Sequence, residues 1–139
     1  MTEETTRTAA PEGTVWPCLR YHDPRSAVDF LTGVAGFTEA LVVPDEEGAT
    51  IVHAELRWPE GGAVMLGDTK LADGDCARLP AGTSSVYVVT ERVDEIYRRV
   101  KDSGARISQD LNDTDYGSHT FTMADFEGNM WTFGTYRGA

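Results

Sequence analysis

The sequence predicts an α+β fold in which two tandem βαβββ modules form a curved mixed sheet, with helices outside and a concave ligand cavity inside. Each half of the chain shows one strand pattern, one helical pattern and then three further strand patterns. The two halves also superpose at a fixed spacing of 69 residues, which relates Leu19 to Val88 and Leu31 to Val100. The two halves are separated by a stretch that is rich in glycine and charged residues and shows no hydrophobic periodicity.

The first module begins with a strand predicted over 15–21. Asp23 can cap the helix that follows, and Pro24 fits its first position. An apolar stripe that includes Val28 and Leu31 defines this helix, and Gly36 ends it. The three further strands are predicted over 37–43, 50–57 and 62–67.

The second module repeats this order. Its first strand is predicted over 84–90, and its helix carries an apolar stripe that includes Val93, Ile96 and Val100 before Gly104 ends it. The remaining strands are predicted over 105–108, 119–125 and 130–136.

A chain of 139 residues is expected to form one domain with one core. We expect a first module over 15–67, a linker over 68–83 and a second module over 84–139. Residues 1–14 are polar and lack the apolar segment of a signal peptide, so they are interpreted as a mobile leader of a cytoplasmic protein.

The composition excludes several classes of partner. Twelve basic residues stand against 23 acidic ones, for a net charge of −11, which argues against nucleic acid and anionic membranes. A cationic ligand, a neutral ligand or simple solubility remain open. No apolar run approaches the roughly 18 residues of a membrane span. Cys18 and Cys76 lack metal-ligand spacing and are read as two free thiols, with a disulfide as the alternative.

Strand alternation assigns side chains to the two faces of the sheet. In the third strand Val52, Ala54 and Leu56 are expected to face the helix, while His53 and Glu55 face the cavity. The first strand should direct Pro17, Leu19 and Tyr21 to the helix and Trp16, Cys18 and Arg20 to the cavity. The same alternation directs Met65, Ser85, Tyr87, Val89, Met130 and Thr132 inward.

Four segments in order resemble the vicinal oxygen chelate superfamily, which includes glyoxalase I, extradiol dioxygenases and bleomycin-resistance proteins. They are LRYHDPRSAVDFLTGVAGF at 19–37, HAELRWPEGGAVMLGD at 53–68, VYVVTERVDEIYRRVKDSGA at 86–105 and YGSHTFTMADFEGNMWTFG at 116–134. The resemblance covers about residues 15–136. Residues 125–129 resemble the family's hairpin turn, with Phe126 in place of its proline.

The resemblance also implies four metal-ligand positions, and here they hold Trp16, Met65, Ser85 and Thr132. An indole offers no lone pair, and a thioether or a neutral hydroxyl is a poor ligand for a hard or borderline metal. We therefore expect no metal and no other cofactor. Two interpretations of His53 and Glu55 remain. They could bind a metal together with His119, or they could form a polar pair that lines the cavity without a metal.

The resemblance is closest to the metal-free bleomycin-resistance branch, whose members sequester an antibiotic as homodimers with each groove built from both chains. It implies a metal-independent protein that binds a small molecule, either an antibiotic or another aromatic or cationic metabolite. No catalytic residue is assigned. The predicted ligand-binding residues are Trp16, Cys18, Arg20, His53, Glu55, Met65, Ser85, Tyr87, Tyr116, His119, Met130 and Thr132.

Three alternatives remain open at this stage. The protein could be a lyase, an isomerase or a dioxygenase-like enzyme that uses Glu55 with His53, or a metal at a non-family position. Cys18 beside Arg20 could supply a nucleophilic thiolate or be a small packed thiol. The chain could also be a partner-binding module with a relic cavity.

Overall fold

The computed structural model describes residues 15–71 and 74–139, so the leader expected over 1–14 lies outside the described residues. The first half contains β1 (Cys18–Tyr21), α1 (Pro24–Phe30), a π-helical turn (Leu31–Ala35), β2 (Thr38–Pro44), β3 (Ile51–Arg57) and β4 (Ala63–Asp68). The second half contains β5 (Ser85–Val89), α2 (Val93–Asp102), β6 (Arg106–Asp113), β7 (His119–Ala124) and β8 (Met130–Gly134).

Short 3₁₀ helices at Thr69–Leu71 and Gly74–Arg78 lie between the halves, within the stretch expected to be a linker. None of the helices in the described part of the chain has the length and apolar character needed to cross a bilayer.

Local signals explain the start and the end of the first helix. The Asp23 carboxylate accepts hydrogen bonds from the Ser26 backbone N–H (3.2 Å) and hydroxyl (2.7 Å), and Pro24 occupies the first turn. Gly36 ends the π-helical turn at a φ of 110°, a conformation that glycine adopts without steric cost. The predicted cap and stop are confirmed.

The topology of the two halves is identical, which confirms the predicted repeat. The strand orders are β1-β4-β3-β2 and β5-β8-β7-β6, and in each half the first strand pairs in parallel with the fourth. The strands form two four-stranded mixed sheets, one from each of the two βαβββ modules. We call them sheet 1 and sheet 2.

The two sheets share one hydrophobic core on their helix-bearing faces. Phe37 packs edge-on against Trp131 with ring centroids 5.7 Å apart, and Trp58 contacts Phe133 at 5.9 Å. The Arg99 guanidinium on α2 donates to the Val34 carbonyl in the π-helical turn, at 2.8 Å. The halves therefore meet through their helix sides, and each sheet turns its opposite face away from the shared core.

A buried carboxylate joins the halves at the end of β1. Asp125 is 5% exposed and accepts hydrogen bonds from the Tyr21 hydroxyl at 2.6 Å and the Trp131 indole at 3.1 Å. The Glu127 carboxylate accepts from the backbone N–H groups of His22 (2.7 Å) and Asp23 (2.8 Å). Burial raises the pKa of Tyr21 well above its ordinary value, and the adjacent Asp125 charge adds to this. Tyr21 therefore acts as a neutral donor.

Two sequence expectations about strands were wrong. β6 extends to Asp113 instead of ending at 108, because an edge strand with two register irregularities tolerates polar residues that are poor strand formers. Val52 is 44% exposed instead of facing the helix. β3 carries an extra residue between the pairs Val43–His53 and Pro44–Ile51, so a β-bulge leaves Ile51 in the core position.

We predict that Tyr21→Phe lowers the free energy of unfolding by about 1–3 kcal/mol, because the buried Asp125 carboxylate loses one of its hydrogen-bond donors. Chemical denaturation followed by tryptophan fluorescence measures the change. Tyr97→Phe is the matched control, since its hydroxyl donates to the exposed Asp110 carboxylate, and it should cost less than about 0.5 kcal/mol. Equal losses in the two variants would contradict the assigned role of Asp125.

Candidate functional site

The solvent side of sheet 1 carries six of the predicted ligand-binding residues, and we call it the first open face. The strand register places Cys18 beside Met65, and Met65 beside Glu55. Arg20 lies two residues along β1, opposite Gly67. The residues of this face are Trp16, Cys18, Arg20, His53, Glu55 and Met65, and of these only Cys18 is fully exposed.

A histidine and a glutamate form a pair on the first open face. His53 Nε2 lies 2.8 Å from Glu55 Oε2, and both side chains are half-buried. An ionised carboxylate only accepts hydrogen bonds, so Nε2 is the donor and Nδ1 is left for another partner. At one end of the face the Arg57 guanidinium stacks over the Trp16 indole, 5.5 Å from the ring centroid.

Cys18 is a free cysteine with an exposed side chain. Its Sγ lies 4.0 Å from Met65 Sδ, with Arg20 two residues along the strand. The interpretation of this residue as a small packed thiol is wrong, because the edge strand β1 leaves its solvent side uncovered.

The second open face is the solvent side of sheet 2. Ser85 pairs with Met130, and Tyr87 pairs with Thr132. The Thr122 and Thr132 hydroxyls lie 2.8 Å apart, and the Tyr87 hydroxyl donates to the Tyr136 carbonyl at 2.8 Å. In contrast to the first open face, this surface is built mainly from hydroxyl groups.

Tyr116 stands at the end of the second open face. It is 61% exposed and packs edge-on against Tyr136, with ring centroids 5.4 Å apart. Sequence reasoning missed Tyr136, because it follows the end of β8 where strand alternation no longer applies. It also missed Arg57, although alternation with His53 and Glu55 would have placed it on the first open face.

His119 belongs to neither open face. Its ring lies on the helix side of β7, with Nε2 at 2.7 Å from Asp94 in the first turn of α2 and Nδ1 at 2.7 Å from Asp113 in β6. The hydrogen bond to Asp94, followed by that to Asp113, raises the pKa of His119. His119 was predicted to bind the ligand, but the structure places it away from both open faces, because it shares the parity of the core residues Phe121 and Met123.

The residues at the four family ligand positions do not fit a metal ion. Indole, thioether and two hydroxyls replace the imidazole and carboxylate donors that such an ion needs. The alternative set of His53, Glu55 and His119 does not converge, since His119 belongs to the other sheet and is bound to two aspartates. Within residues 15–71 and 74–139, no cluster of three or more His, Cys, Asp or Glu side chains is arranged to hold a metal.

The cavities do not form one chamber between the open faces. A small hollow of about 80 Å³ lies on the first open face and is lined by Cys18, Arg20, His53 and Met65, among others. A larger groove of about 630 Å³ lies elsewhere, beside Phe30 and Phe126. The carboxylates at this groove, Asp125 and Glu127, already bind groups of the fold, so we place the candidate site on the open faces.

We predict that His119→Asn destabilises the protein in a pH-dependent way. The folded pKa is raised, so the stabilisation is complete below the unfolded pKa of about 6.5 and is lost as the pH rises through the folded pKa. The difference in melting temperature from the wild type should be largest near pH 6 and shrink toward pH 9. His22→Asn, at an exposed imidazole, should show no such trend; a constant difference for His119→Asn would contradict the charged contact.

The family model described as the Glyoxalase/Bleomycin resistance protein/Dioxygenase superfamily matches residues 13–133. The chain is 28% identical over 129 residues to the protein Mb0911c of Mycobacterium bovis. The aligned region covers 85% of this chain and 80% of that protein.

Among solved structures, TioX from Micromonospora sp. ML1 superposes with a TM-score of 0.74 and 32% identity, over 91% of this chain and 98% of TioX. TnmS3, an antibiotic-binding protein from Streptomyces sp. CB03234, superposes with a TM-score of 0.68 and 16% identity, over 90% of this chain and 93% of TnmS3. With the repeated βαβββ topology, the family match shows that this chain belongs to the glyoxalase/bleomycin resistance protein/dioxygenase superfamily.

Proposed function

We propose that this protein is a metal-independent, cytoplasmic small-molecule-binding protein that sequesters an antibiotic or another aromatic or cationic metabolite. One observation carries the proposal. The two open faces present an indole, one thioether and two hydroxyls where a metal-dependent relative needs imidazoles and carboxylates. Aromatic rings and thioethers adapt to flat apolar ligands, and hydroxyls orient them.

We further propose that the binding groove is completed by a second copy of the chain. The halves of one chain meet through their helix sides, so the first and second open faces turn away from their common core. A ligand that contacts both types of face would need a first open face from one protomer and a second from its partner. Sedimentation equilibrium should show a dimer, and a strictly monomeric protein at ligand-binding concentrations would refute this part of the proposal.

The shared fold of TnmS3, an antibiotic-binding protein, is consistent with sequestration, although at 16% identity it supports the fold alone. The direct test is calorimetry against a panel of DNA-damaging antibiotics, combined with metal analysis of the purified protein. Binding of at least one compound without metal supports the proposal. Stoichiometric metal bound through His53 and Glu55, or no binding and no protection of an expressing strain, would overturn it.

An acid–base enzyme is the second candidate, because the 2.8 Å contact between His53 and Glu55 orients an imidazole on the first open face. Mass spectrometry of a ligand released after prolonged incubation separates the two functions. Recovery of the unchanged compound supports sequestration. A product that wild-type protein forms and Glu55→Gln does not would establish the enzyme.

We predict that Trp16→Ala weakens binding of the captured compound by about 1–3 kcal/mol, because the indole is an aromatic anchor at the edge of the first open face. Calorimetry of wild type and variant measures the loss. Phe126→Ala removes another aromatic ring, 56% exposed but outside both open faces, and should leave the affinity unchanged. If Trp16→Ala binds with the same affinity as the wild type, Trp16 is not part of the binding site.

A further inference from the structure

We propose that the hollow on the first open face binds the carboxylate of a flat aromatic ligand, held between Arg20 and His53. This inference rests on the proposed function and names the ligand class for that site. It favours an aromatic anion over the cationic ligand that the net charge of −11 left open.

The hollow lies among the side chains of three neighbouring strands. Its lining includes Cys18 and Arg20 on β1, His53 on β3 and Met65 on β4. Arg20 lies opposite Gly67 on β4, which has no side chain. A Cβ at Gly67 would lie 2.5 Å from the Val52 carbonyl oxygen in the β-bulge, so only glycine fits there and the bulged backbone lies over it. The hollow has a volume of about 80 Å³, which is room for a small group.

The second half of the chain has a different group at the equivalent place. Gly134 on β8 is the counterpart of Gly67, and a Cβ there would lie 2.5 Å from the Tyr87 hydroxyl. The phenol therefore lies over Gly134, whereas the Val52 backbone lies over Gly67. The residue related to Tyr87 by the repeat is Cys18, and its short side chain leaves the hollow of sheet 1 open.

The side chains at the hollow favour a negative group. Arg20 is half-buried, and its guanidinium makes no hydrogen bond or ion pair with any residue in the described ranges. His53 uses Nε2 for Glu55 and retains Nδ1. A guanidinium without an acceptor matches the two oxygens of a carboxylate.

The wider surroundings agree with this assignment. Arg57 adds a second cation on the first open face, beside Trp16, where a flat ring would stack. The acid on this face is Glu55, which is bound to His53. The Val52 carbonyl oxygen is an acceptor at the floor of the hollow, so we place the carboxylate on the Arg20 side. The local charge is therefore opposite in sign to that of the chain.

The test compares three probes of equal shape by calorimetry: 2-naphthoate, 2-naphthamide and 2-naphthylmethylammonium. Wild-type protein should bind the naphthoate at least about tenfold more tightly than the amide, as expected for a hydrogen bond to a charged group. Arg20→Gln should abolish this preference, and Arg20→Lys should retain part of it. Arg25→Gln makes the same change of charge on the exposed side of α1 and should behave as wild type.

Circular dichroism and melting temperature establish that each variant is folded. A wild-type preference for the amide or the ammonium probe, a preference unchanged in Arg20→Gln, or no binding of the naphthoate would overturn the inference. Each of these results leaves the proposed function standing, because that is judged separately by the antibiotic panel and metal analysis.

Discussion

The buried Asp125 carboxylate is the contact on which the arrangement of the two halves depends. A charge this deep in a protein requires donors on every side, and Tyr21 from the first half supplies one while Trp131 and Asn129 from the second supply others. These hydrogen bonds to Asp125 can form together only when β1 lies against the β7–β8 turn. That geometry brings the helix-bearing faces into a common core, and it leaves the other face of each sheet to bind something else.

Duplication of one module has produced two open faces with different chemistry. The topology and the positions of Gly67 and Gly134 repeat, yet the Tyr87 phenol lies over Gly134 and the Val52 backbone carbonyl lies over Gly67. Sheet 1 offers arginine, imidazole and sulfur, whereas sheet 2 offers hydroxyls. Such a pair of surfaces suits an asymmetric ligand with an anionic end and a flat body.

Most of the fold could be predicted from periodicity because strand alternation and the helical stripe record burial directly. Two of the exceptions arise from irregularities of the backbone. A β-bulge placed Val52 on the face opposite to the expected one. The irregular edge strand β6 is longer than predicted because its polar residues do not show a strand pattern. His119 was misplaced for another reason: Asp94 on α2 and Asp113 on β6 bind its ring on the helix side. None of these effects appears in a local pattern.

The sequence by itself determined the repeated βαβββ modules, the family, the missing metal ligands and the residues His53 and Glu55 as a pair on one strand. These follow from residue type and spacing, which are local. The tertiary structure alone decided that the open faces turn away from the shared core and that Arg20 stands beside an empty hollow. Those properties depend on which backbones approach one another, and only packing between distant segments, such as the Val52 carbonyl against Gly67, establishes them.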